Sequence, residues 1–249
     1  VDTVDGEWRK KSFVGYDVVF HVAGIAHQKE TKQNADLYYK VNRDLAIEAA
    51  KKAKAEGVGQ FVFLSSMSVY GMDTGVITKE TKPAPKSHYG KSKWQAEQEI
   101  APLSDSSFKV CILRPPMVYG KGCKGNFGKI KKLVESSPIF PYVKNQRSMI
   151  YIDNLLSFVK FSIDNSLEGV FYPQNKEYVS TVELARGISK ALGKKIYFER
   201  ITGAAVACLR LVHPTARKAF GTLIYKDTED FGFSYAVVDN EQSITMSAK

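Results

Sequence analysis

One stretch of the sequence, residues 61 to 93, constrains the fold and the chemistry of this chain more than any other. It begins with the apolar run Phe61-Val62-Phe63-Leu64, typical of a buried β-strand, and two serines follow at once. It ends with Tyr89-Gly90-Lys91-Ser92-Lys93, which opens a segment with helical spacing. The stretch therefore predicts a strand, a turn and a helix, with polar groups gathered at the end of the strand.

The tyrosine and the second lysine of this stretch are four residues apart, so on a helix they share one face. A free phenol titrates near pH ~10 and is a poor base at neutral pH, but a neighbouring cation favours the phenolate. Lys93 would supply that cation to Tyr89. The hydroxyl of Ser66, at the carboxyl edge of a sheet, would hydrogen-bond a substrate oxygen. We predict that Ser66, Tyr89 and Lys93 form a catalytic site.

A Tyr-x-x-x-Lys match has little weight alone, since 13 Tyr and 28 Lys in 249 residues produce about one or two by chance. A second match, Tyr172 to Lys176, contains a proline and an asparagine that argue against a helix. The match at Tyr89 differs because a buried strand with serines at its end precedes it. The alternative interpretation of Tyr89 and Lys93 is an exposed helix start.

The composition limits the class of protein. Of 249 residues 44% are hydrophobic, but no apolar run approaches the ~18 residues of a membrane span, and the N-terminus lacks the pattern of a signal peptide. The three scattered cysteines indicate neither a disulfide framework nor a zinc site. His21 and His27 have no accompanying cluster of carboxylates, so we interpret them as packed or cofactor-adjacent residues. We expect a cytoplasmic protein without a metal or a membrane partner.

The net charge of +10 favours a polyanionic partner. Nucleic acid is the obvious rival, but the basic residues are not interleaved with the aromatic series of a stacking platform, and we expect no nucleic-acid partner. Either a solvated helix face or a diphosphate site would account for the densest basic run, and the sequence leaves both open. That run contains Lys121, Lys124, Lys129, Lys131 and Lys132.

Strands and helices alternate through the first half of the chain. Buried strands are predicted over residues 16–24, 60–65 and 109–113, and helices over residues 34–56 and 87–101. Strands separated by helix-sized intervals predict an α/β fold, a doubly wound, Rossmann-like parallel sheet.

The second half is less regular. Four glycines between residues 120 and 128 predict a loop that can wrap a ligand, and from about residue 129 the segments become shorter. A helix is predicted over residues 183–192, and the last forty residues are weakly patterned. We predict a partial dinucleotide-binding domain over residues 1–128. Residues 129–249 would form a smaller, mainly substrate-binding region interlaced with it.

With the catalytic residues in hand, the chain resembles the extended short-chain dehydrogenase/reductases, in particular the NAD-dependent nucleotide-sugar epimerase/dehydratase family. The resemblance covers nearly the whole chain. It rests on five motifs: Val22-Ala23-Gly24, the run from Ser65 to Gly71, Tyr89-Gly90-Lys91-Ser92-Lys93, the run from Leu113 to Gly120, and the run from Arg147 to Asn154.

The resemblance implies a bound NAD, with NADP left open. By motif, Ala23 and Gly24 would line the dinucleotide, Asn42 would support the site, and Asp2 with Thr3 would reach the adenine. The full set of cofactor-binding residues that it implies is Asp2, Thr3, Val22, Ala23, Gly24, Asn42, Ser65, Tyr89, Lys93 and Pro116.

The resemblance also implies a UDP-sugar as substrate. Asn126 and Arg147 match the groups that hold the uridine diphosphate, and a guanidinium suits phosphate because it can bind two oxygens at once. Arg147 in a surface ion pair is the alternative. Many family members have Asn where this chain has Met117, so one substrate hydrogen bond is absent or made otherwise. The implied substrate-binding residues are Ser66, Met117, Asn126, Phe127 and Arg147.

One departure from the family pattern concerns the start of the chain. The family begins with a strand and a Gly-rich turn that holds the cofactor pyrophosphate, and no such turn precedes Val18. On this alignment roughly two βα units are missing. We expect the apolar edge of the strand at Val18 to be open, which invites aggregation or a partner.

Three hypotheses follow from the resemblance. The first is an isomerase, a UDP-sugar 4-epimerase acting on UDP-glucose or a UDP-N-acetylhexosamine through a 4-keto intermediate. The second is an NAD(P)H-dependent UDP-4-keto-sugar reductase of polysaccharide biosynthesis, which would use the same three residues. The third is an inactive binding or scaffold protein. The family also implies a homodimer, formed by the helices over residues 34–56 and 87–101.

Overall fold

A computed structural model of the chain describes residues 2–26, 28–212, 214–228 and 231–249. Its contacts divide the chain into two compact units. The first unit comprises Val1–Gly71, Lys82–Arg114 and Val159–Phe171, and the second comprises Met72–Thr81, Pro115–Phe158 and Tyr172–Lys249. The division at residue 128 into cofactor and substrate regions stays a prediction, because these units are defined by packing and not by a ligand.

The described residues form the following elements. The strands are β1 (Val18–His21), β2 (Gln60–Leu64), β3 (Gly75–Ile77), β4 (Lys109–Leu113), β5 (Met117–Tyr119), β6 (Ile139–Pro141), β7 (Met149–Tyr151), β8 (Gly169–Phe171), β9 (Tyr197–Glu199) and β10 (Leu223–Tyr225). The α-helices are α1 (Ala35–Tyr38), α2 (Leu45–Ala55), α3 (His88–Ile100), α4 (Asn126–Ser136), α5 (Ile152–Asp164), α6 (Thr181–Ala191), α7 (Arg200–Val212), α8 (Pro214–Phe220) and α9 (Asn240–Ala248).

The first unit contains a four-stranded parallel sheet in the order β1-β2-β4-β8. The side chains of Phe61, Val62 and Phe63 on β2 are fully buried, as expected for a central strand covered on both faces. Helices α2 and α3 connect successive strands, so the predicted α/β, Rossmann-like fold is confirmed. β1 is shorter than predicted, because Tyr16 and Val22 at its two ends are exposed and unpaired in the sheet.

The helical region predicted over residues 34–56 is continuous but not uniform. Between α1 and α2 the chain forms a π-helix over Tyr39–Asp44, with wider i to i+5 hydrogen bonding. Asn42, in this segment, is fully buried. A buried asparagine needs polar partners, and the wider turn directs its side chain to them, as described below.

The second unit is built from short parallel strand pairs, β5 with β7, β3 with β10, and β6 with β9. Helices α4 and α6 pack together over an apolar core that includes Phe127, Phe140 and Ile188. The last forty residues carry more structure than their weak pattern indicates, namely α8, β10 and α9. None of the described helices is long and apolar enough to cross a bilayer.

Candidate active site

The predicted catalytic pair, Tyr89 and Lys93, lies in the first turns of α3. The helix begins at His88, as predicted, and the Ser87 hydroxyl caps it by accepting a hydrogen bond from the backbone N–H of Gly90 at 3.1 Å. The carboxylate of Glu30 accepts from the N–H groups of His88 at 2.9 Å and Tyr89 at 3.0 Å. An anion there satisfies free donors and complements the helix dipole, so Glu30 fixes the start of the helix that carries Tyr89.

A glycine allows α3 to approach the turn after β2 closely. A Cβ atom on Gly90 would lie 2.5 Å from the carbonyl oxygen of Ser68, a distance that no side chain tolerates. This approach places the Tyr89 phenol near the Ser66 hydroxyl, close enough for that hydroxyl to influence the pKa of the phenol. Ser66 also accepts from the N–H of Ser68 at 3.1 Å, which orients its side chain.

The electrostatics of the phenol differ from the prediction. Burial raises the pKa of Tyr89, its hydrogen bond with Ser66 lowers that pKa in part, and the nearby Tyr38 raises it further. Lys93 was expected to lower the pKa of Tyr89. In this structure its ammonium donates instead to the carbonyl oxygen of Leu64 at 2.8 Å.

Lys93 is 4% exposed, and its ammonium lies 4.7 Å from the centre of the Phe63 ring. Burial lowers the pKa of Lys93 to about 8, and the carboxylate of Glu97 opposes that shift. A lysine with this pKa keeps its charge at neutral pH and loses it in mildly alkaline solution.

A buried ion pair supports the site one turn further along α3. Glu97, 2% exposed, accepts from the Arg114 guanidinium at 2.5 Å and 3.1 Å, and also from the hydroxyl of Ser65. Arg114 donates to the Tyr70 hydroxyl at 2.8 Å. The sequence analysis missed this pair, although an acidic residue four positions after Lys93 was a usable signal. The Ser65 hydroxyl donates its proton to Glu97. The predicted contact between Ser65 and the cofactor stays a prediction.

The end of β1 lies next to the lysine. A Cβ atom on Gly24 would lie 2.9 Å from Oδ1 of Asn42 and 3.5 Å from Nζ of Lys93. Asn42 is held by Ile25, accepting from its N–H at 2.8 Å and donating to its carbonyl at 3.0 Å, and it donates to the Ser92 hydroxyl at 3.3 Å. The structure thus brings together Gly24, Asn42 and Lys93, three predicted cofactor-binding residues, beside an open stretch of backbone.

His21 is packed, as predicted, with its ring against Phe61 and Phe63 at centroid distances of 5.8 and 6.0 Å. Burial and the charge of Lys93 lower the pKa of His21 to about 4, and a hydrogen bond to the backbone of Ala23 opposes the shift. Its Nε2 has no hydrogen-bond partner among the described residues. His27 lies outside those residues.

Three of the predicted substrate residues line a small pocket in the second unit. Met117, Asn126 and Arg147 line it together with Thr181 and Lys218. The Arg147 guanidinium donates to the carbonyl of Gly221 at 2.9 Å, and its Nε is buried without a partner among the described residues. Burial lowers the pKa of Arg147, with Asp73 opposing, so the pocket holds a largely desolvated cation.

The remaining predicted residues are Phe127, Pro116, Asp2 and Thr3. Phe127 is buried and stacks on Tyr119 at 5.4 Å, and Pro116 is buried beside β5. Asp2 and Thr3 precede the short 3-10 helix Glu7–Lys10, where Asp2 accepts from the N–H of Val4 at 3.0 Å. Their predicted contacts with ligands stay predictions. The second Tyr-x-x-x-Lys match, at Tyr172, is not helical, as expected.

Comparison with known sequences finds a matching protein family and several related proteins. The sequence profile of the NAD dependent epimerase/dehydratase family matches residues 1–171. A UDP-glucose 4-epimerase of Vibrio cholerae is 37% identical over 188 residues, which cover 71% of this chain and 57% of that protein. An N-acetyl-alpha-D-glucosaminyl-diphospho-ditrans,octacis-undecaprenol 4-epimerase of Escherichia coli O157:H7 is 28% identical over 205 residues, covering 78% of this chain and 60% of that protein. The chain therefore spans well under two thirds of the length of both relatives.

Solved structures share the fold. A UDP-glucuronic acid 4-epimerase from Bacillus cereus, in complex with NAD, has a TM-score of 0.72 at 20% identity, covering 93% of this chain and 73% of that one. The RMD protein from Pseudomonas aeruginosa, complexed with NADPH, has a TM-score of 0.69 at 17% identity and covers 93% of this chain and 80% of its own.

Proposed function

We propose, from the premise that this chain belongs to the NAD dependent epimerase/dehydratase family, that it serves as a nucleotide-sugar 4-epimerase of the UDP-glucose 4-epimerase type. The observation that carries the proposal is the placement of the Tyr89 phenol near the Ser66 hydroxyl, with the buried ammonium of Lys93 one turn along the same helix. This arrangement suits the removal of a proton from a sugar hydroxyl and its later return.

The residues around Gly24 fit a dinucleotide cofactor. Because Gly24 has no side chain, Asn42 and Lys93 approach the backbone closely just after β1; a Cβ atom there would lie 2.9 Å from Oδ1 of Asn42. Lys93 gives one of its N–H groups to Leu64, and an ammonium has three, so it can also serve ribose hydroxyls. NAD would supply the hydride acceptor and donor in this reaction.

In the proposed mechanism Tyr89 acts as the base. Its phenolate takes the proton of the sugar 4-hydroxyl while the Ser66 hydroxyl hydrogen-bonds the same oxygen, which would allow a bound NAD to accept the hydride of C4. For this step the ammonium of Lys93 has to turn from the carbonyl of Leu64 toward the phenolate and stabilise it, because burial raises the pKa of Tyr89. After the 4-keto sugar turns over, its C4 receives the hydride on the other face and Tyr89 returns the proton.

The pocket of the second unit supports a diphosphate-containing substrate. The guanidinium of Arg147 is a partly desolvated cation whose Nε is free to donate among the described residues, and Lys218 brings a second positive charge to the pocket. A desolvated cation binds an anion strongly because little water has to be removed on binding. UDP-glucose is the first substrate to test, since the relative from Vibrio cholerae carries its name.

We also propose a homodimer through α1, α2 and α3. α2 and α3 pack on each other in the first unit, and α1, α3 and the π-helix over Tyr39–Asp44 line a broad surface groove with Leu37, which is exposed. The other residues of the groove are Asp36, Tyr39, Lys40, Arg43, Asp44 and Gln95.

The proposed activity is tested by incubating the purified protein with NAD and UDP-glucose, or UDP-N-acetylglucosamine, and separating the C4 epimers by chromatography. Epimer formation with unchanged NAD supports the epimerase. Consumption of NAD(P)H with a UDP-4-keto-sugar, in amounts equal to product, would establish the reductase instead. No turnover of any of these sugars, together with no binding of NAD, would support the scaffold hypothesis.

A further inference from the structure

Helix α7 of the second unit presents an apolar face to solvent. Ile201 is 81% exposed and Leu209 is 46% exposed, and Ala204, Ala205 and Cys208 between them are also exposed. Residues three and four apart share a helix face, so these five side chains form one stripe. Among the described side chains of α7, none within this stripe is charged. A solvent-facing surface of this kind needs an explanation.

The orientation of α7 is fixed by its opposite face. A Cβ atom on Gly203 would lie 2.1 Å from the carbonyl oxygen of Tyr142, so the helix packs there backbone to backbone next to β6. Glu199 caps the helix by accepting from the N–H groups of Ile201 at 2.8 Å and Thr202 at 2.5 Å. The apolar stripe therefore faces outward because of the packing of α7 and not because the helix end is frayed.

The neighbouring strand pair extends the apolar surface. α7 follows directly after β9, which pairs with β6, and both strands expose large apolar or aromatic side chains. Tyr197 on β9 is 63% exposed, and Ile139 on β6 and Tyr142 just after it are exposed as well. Tyrosines are favoured at the boundary between water and lipid, since one end of the ring is apolar and the other is polar.

The sequence around α7 is rich in basic residues. Residues 194–218 contain six basic residues and a single acidic residue, Glu199, whose carboxylate is taken up by the start of α7. Three of the basic residues, Lys194, Lys195 and Arg200, flank β9 and the start of α7. A helix with an apolar face and cationic flanks matches the chemistry of an anionic lipid surface, which has acyl chains below negatively charged headgroups.

We propose that α7, with the exposed ends of β6 and β9, docks on an anionic lipid bilayer, and that the chain is a peripheral membrane protein. The apolar stripe lies in the boundary between headgroups and acyl chains, and the flanking basic residues contact the headgroups. The proposal replaces the expectation from the sequence of no membrane partner. It does not depend on the proposed enzymatic activity.

The test is flotation of the purified protein with vesicles of phosphatidylcholine containing a quarter phosphatidylglycerol, compared with pure phosphatidylcholine. We expect binding to the anionic vesicles to be about tenfold stronger, and to weaken in high salt, because the basic residues act at the surface. Replacing two residues of the stripe, Ile201→Glu with Leu209→Glu, should lower binding by about tenfold or more, since it places charge at the apolar boundary.

A matched control is Leu156→Glu, which adds a charge to an exposed position, 51% accessible, on a different helix, α5. It should bind vesicles like the parent protein. A second readout does not require the glutamate variants to fold. An environment-sensitive dye is attached to the exposed Cys208 in a Cys123→Ser variant, in which the one other cysteine, Cys111, is buried. The fluorescence emission of the dye should shift to the blue when anionic vesicles are added.

Two results would overturn the proposal. One is equal binding by the parent protein and the stripe variant, with no shift of the dye on Cys208. The other is an absence of vesicle binding combined with a self-association, measured by light scattering, that the stripe variant abolishes. The second result would assign the face to another copy of the chain.

Discussion

Lys93 and Glu97 lie one turn apart on the same face of α3, and both are almost completely buried. The carboxylate of Glu97 counters the effect of burial on the pKa of Lys93, while it also neutralises Arg114. One carboxylate therefore serves a structural cation and a proposed catalytic cation. This relationship explains why the site depends on residues that contact neither sugar nor cofactor in the proposed mechanism.

We predict that Glu97→Gln destabilises the protein by about 3–5 kcal/mol, because it leaves the Arg114 guanidinium buried without its counter-ion. Urea unfolding followed by circular dichroism measures this. Glu99→Gln, at an exposed position of the same helix, is the control and should change the free energy of unfolding by less than about 0.5 kcal/mol. Equal effects of the two variants would contradict the assigned role of the ion pair.

Removing the phenol hydroxyl should abolish most of the activity. For Tyr89→Phe we expect a fall in kcat of about 10²- to 10⁴-fold with the fold retained, as for the loss of a general base. Tyr172→Phe, in the second Tyr-x-x-x-Lys match, is the matched control and should stay within about twofold of the parent. Comparable activity of Tyr89→Phe and the parent enzyme would refute the catalytic assignment.

His21 should make stability depend on pH in the acid range. The pKa of His21 is about 4 in the folded protein and near 6.5 in the unfolded chain. Between these two pH values the imidazole is protonated in the unfolded chain but not in the folded protein, which favours unfolding. Stability is therefore lost as the pH falls from about 6.5 to 4, by about 3 kcal/mol in total. In His21→Phe this part of the pH dependence should disappear. The measurement is the free energy of unfolding of both proteins at a series of pH values. A difference between the two that stays constant with pH would exclude the effect.

The start of α3 should depend on the carboxylate of Glu30. For Glu30→Ala we expect a loss of about 1 kcal/mol of stability, since two backbone N–H groups lose their acceptor, and a several-fold lower kcat because Tyr89 is less fixed. The control is Glu7→Ala, the same substitution at an exposed acidic residue of the same unit. A stability unchanged by Glu30→Ala would show that water replaces the carboxylate without cost.

Arg147 should dominate the affinity for the nucleotide. Arg147→Gln is expected to weaken UDP binding, measured by calorimetry, by about 10- to 100-fold, as for the loss of charge-assisted hydrogen bonds. Arg186→Gln, which removes a guanidinium lying over the Phe198 ring, is the control and should leave UDP affinity within about twofold. Unaltered UDP affinity in Arg147→Gln would remove this residue from the proposed site.

The sequence predicted the parallel sheet and the placement of Tyr89 well, because apolar strands and helical spacing are local signals. It did not predict the π-helix around Asn42, since no residue pattern marks one extra residue in a turn. The ion pair of Glu97 with Arg114 and the cap by Glu30 join residues far apart in sequence, so only the fold brings them together. The outward-facing stripe on α7 was missed for a different reason. Its apolar residues have the same spacing as those of a helix whose apolar face is packed against a core.

The order of strands in the first unit also has a consequence for how the chain is made. β4 pairs with β8, which begins at Gly169, and the side-chain amide of Gln60 on β2 donates to the carbonyls of Ser162 and Leu167 at 3.0 Å. Ser162 and Leu167 follow Gln60 by more than a hundred residues, so they leave the ribosome much later than Gln60 does. During synthesis the edge of β4 therefore has no partner strand until β8 has been made. A chaperone that binds this unpaired edge would be most useful in that interval.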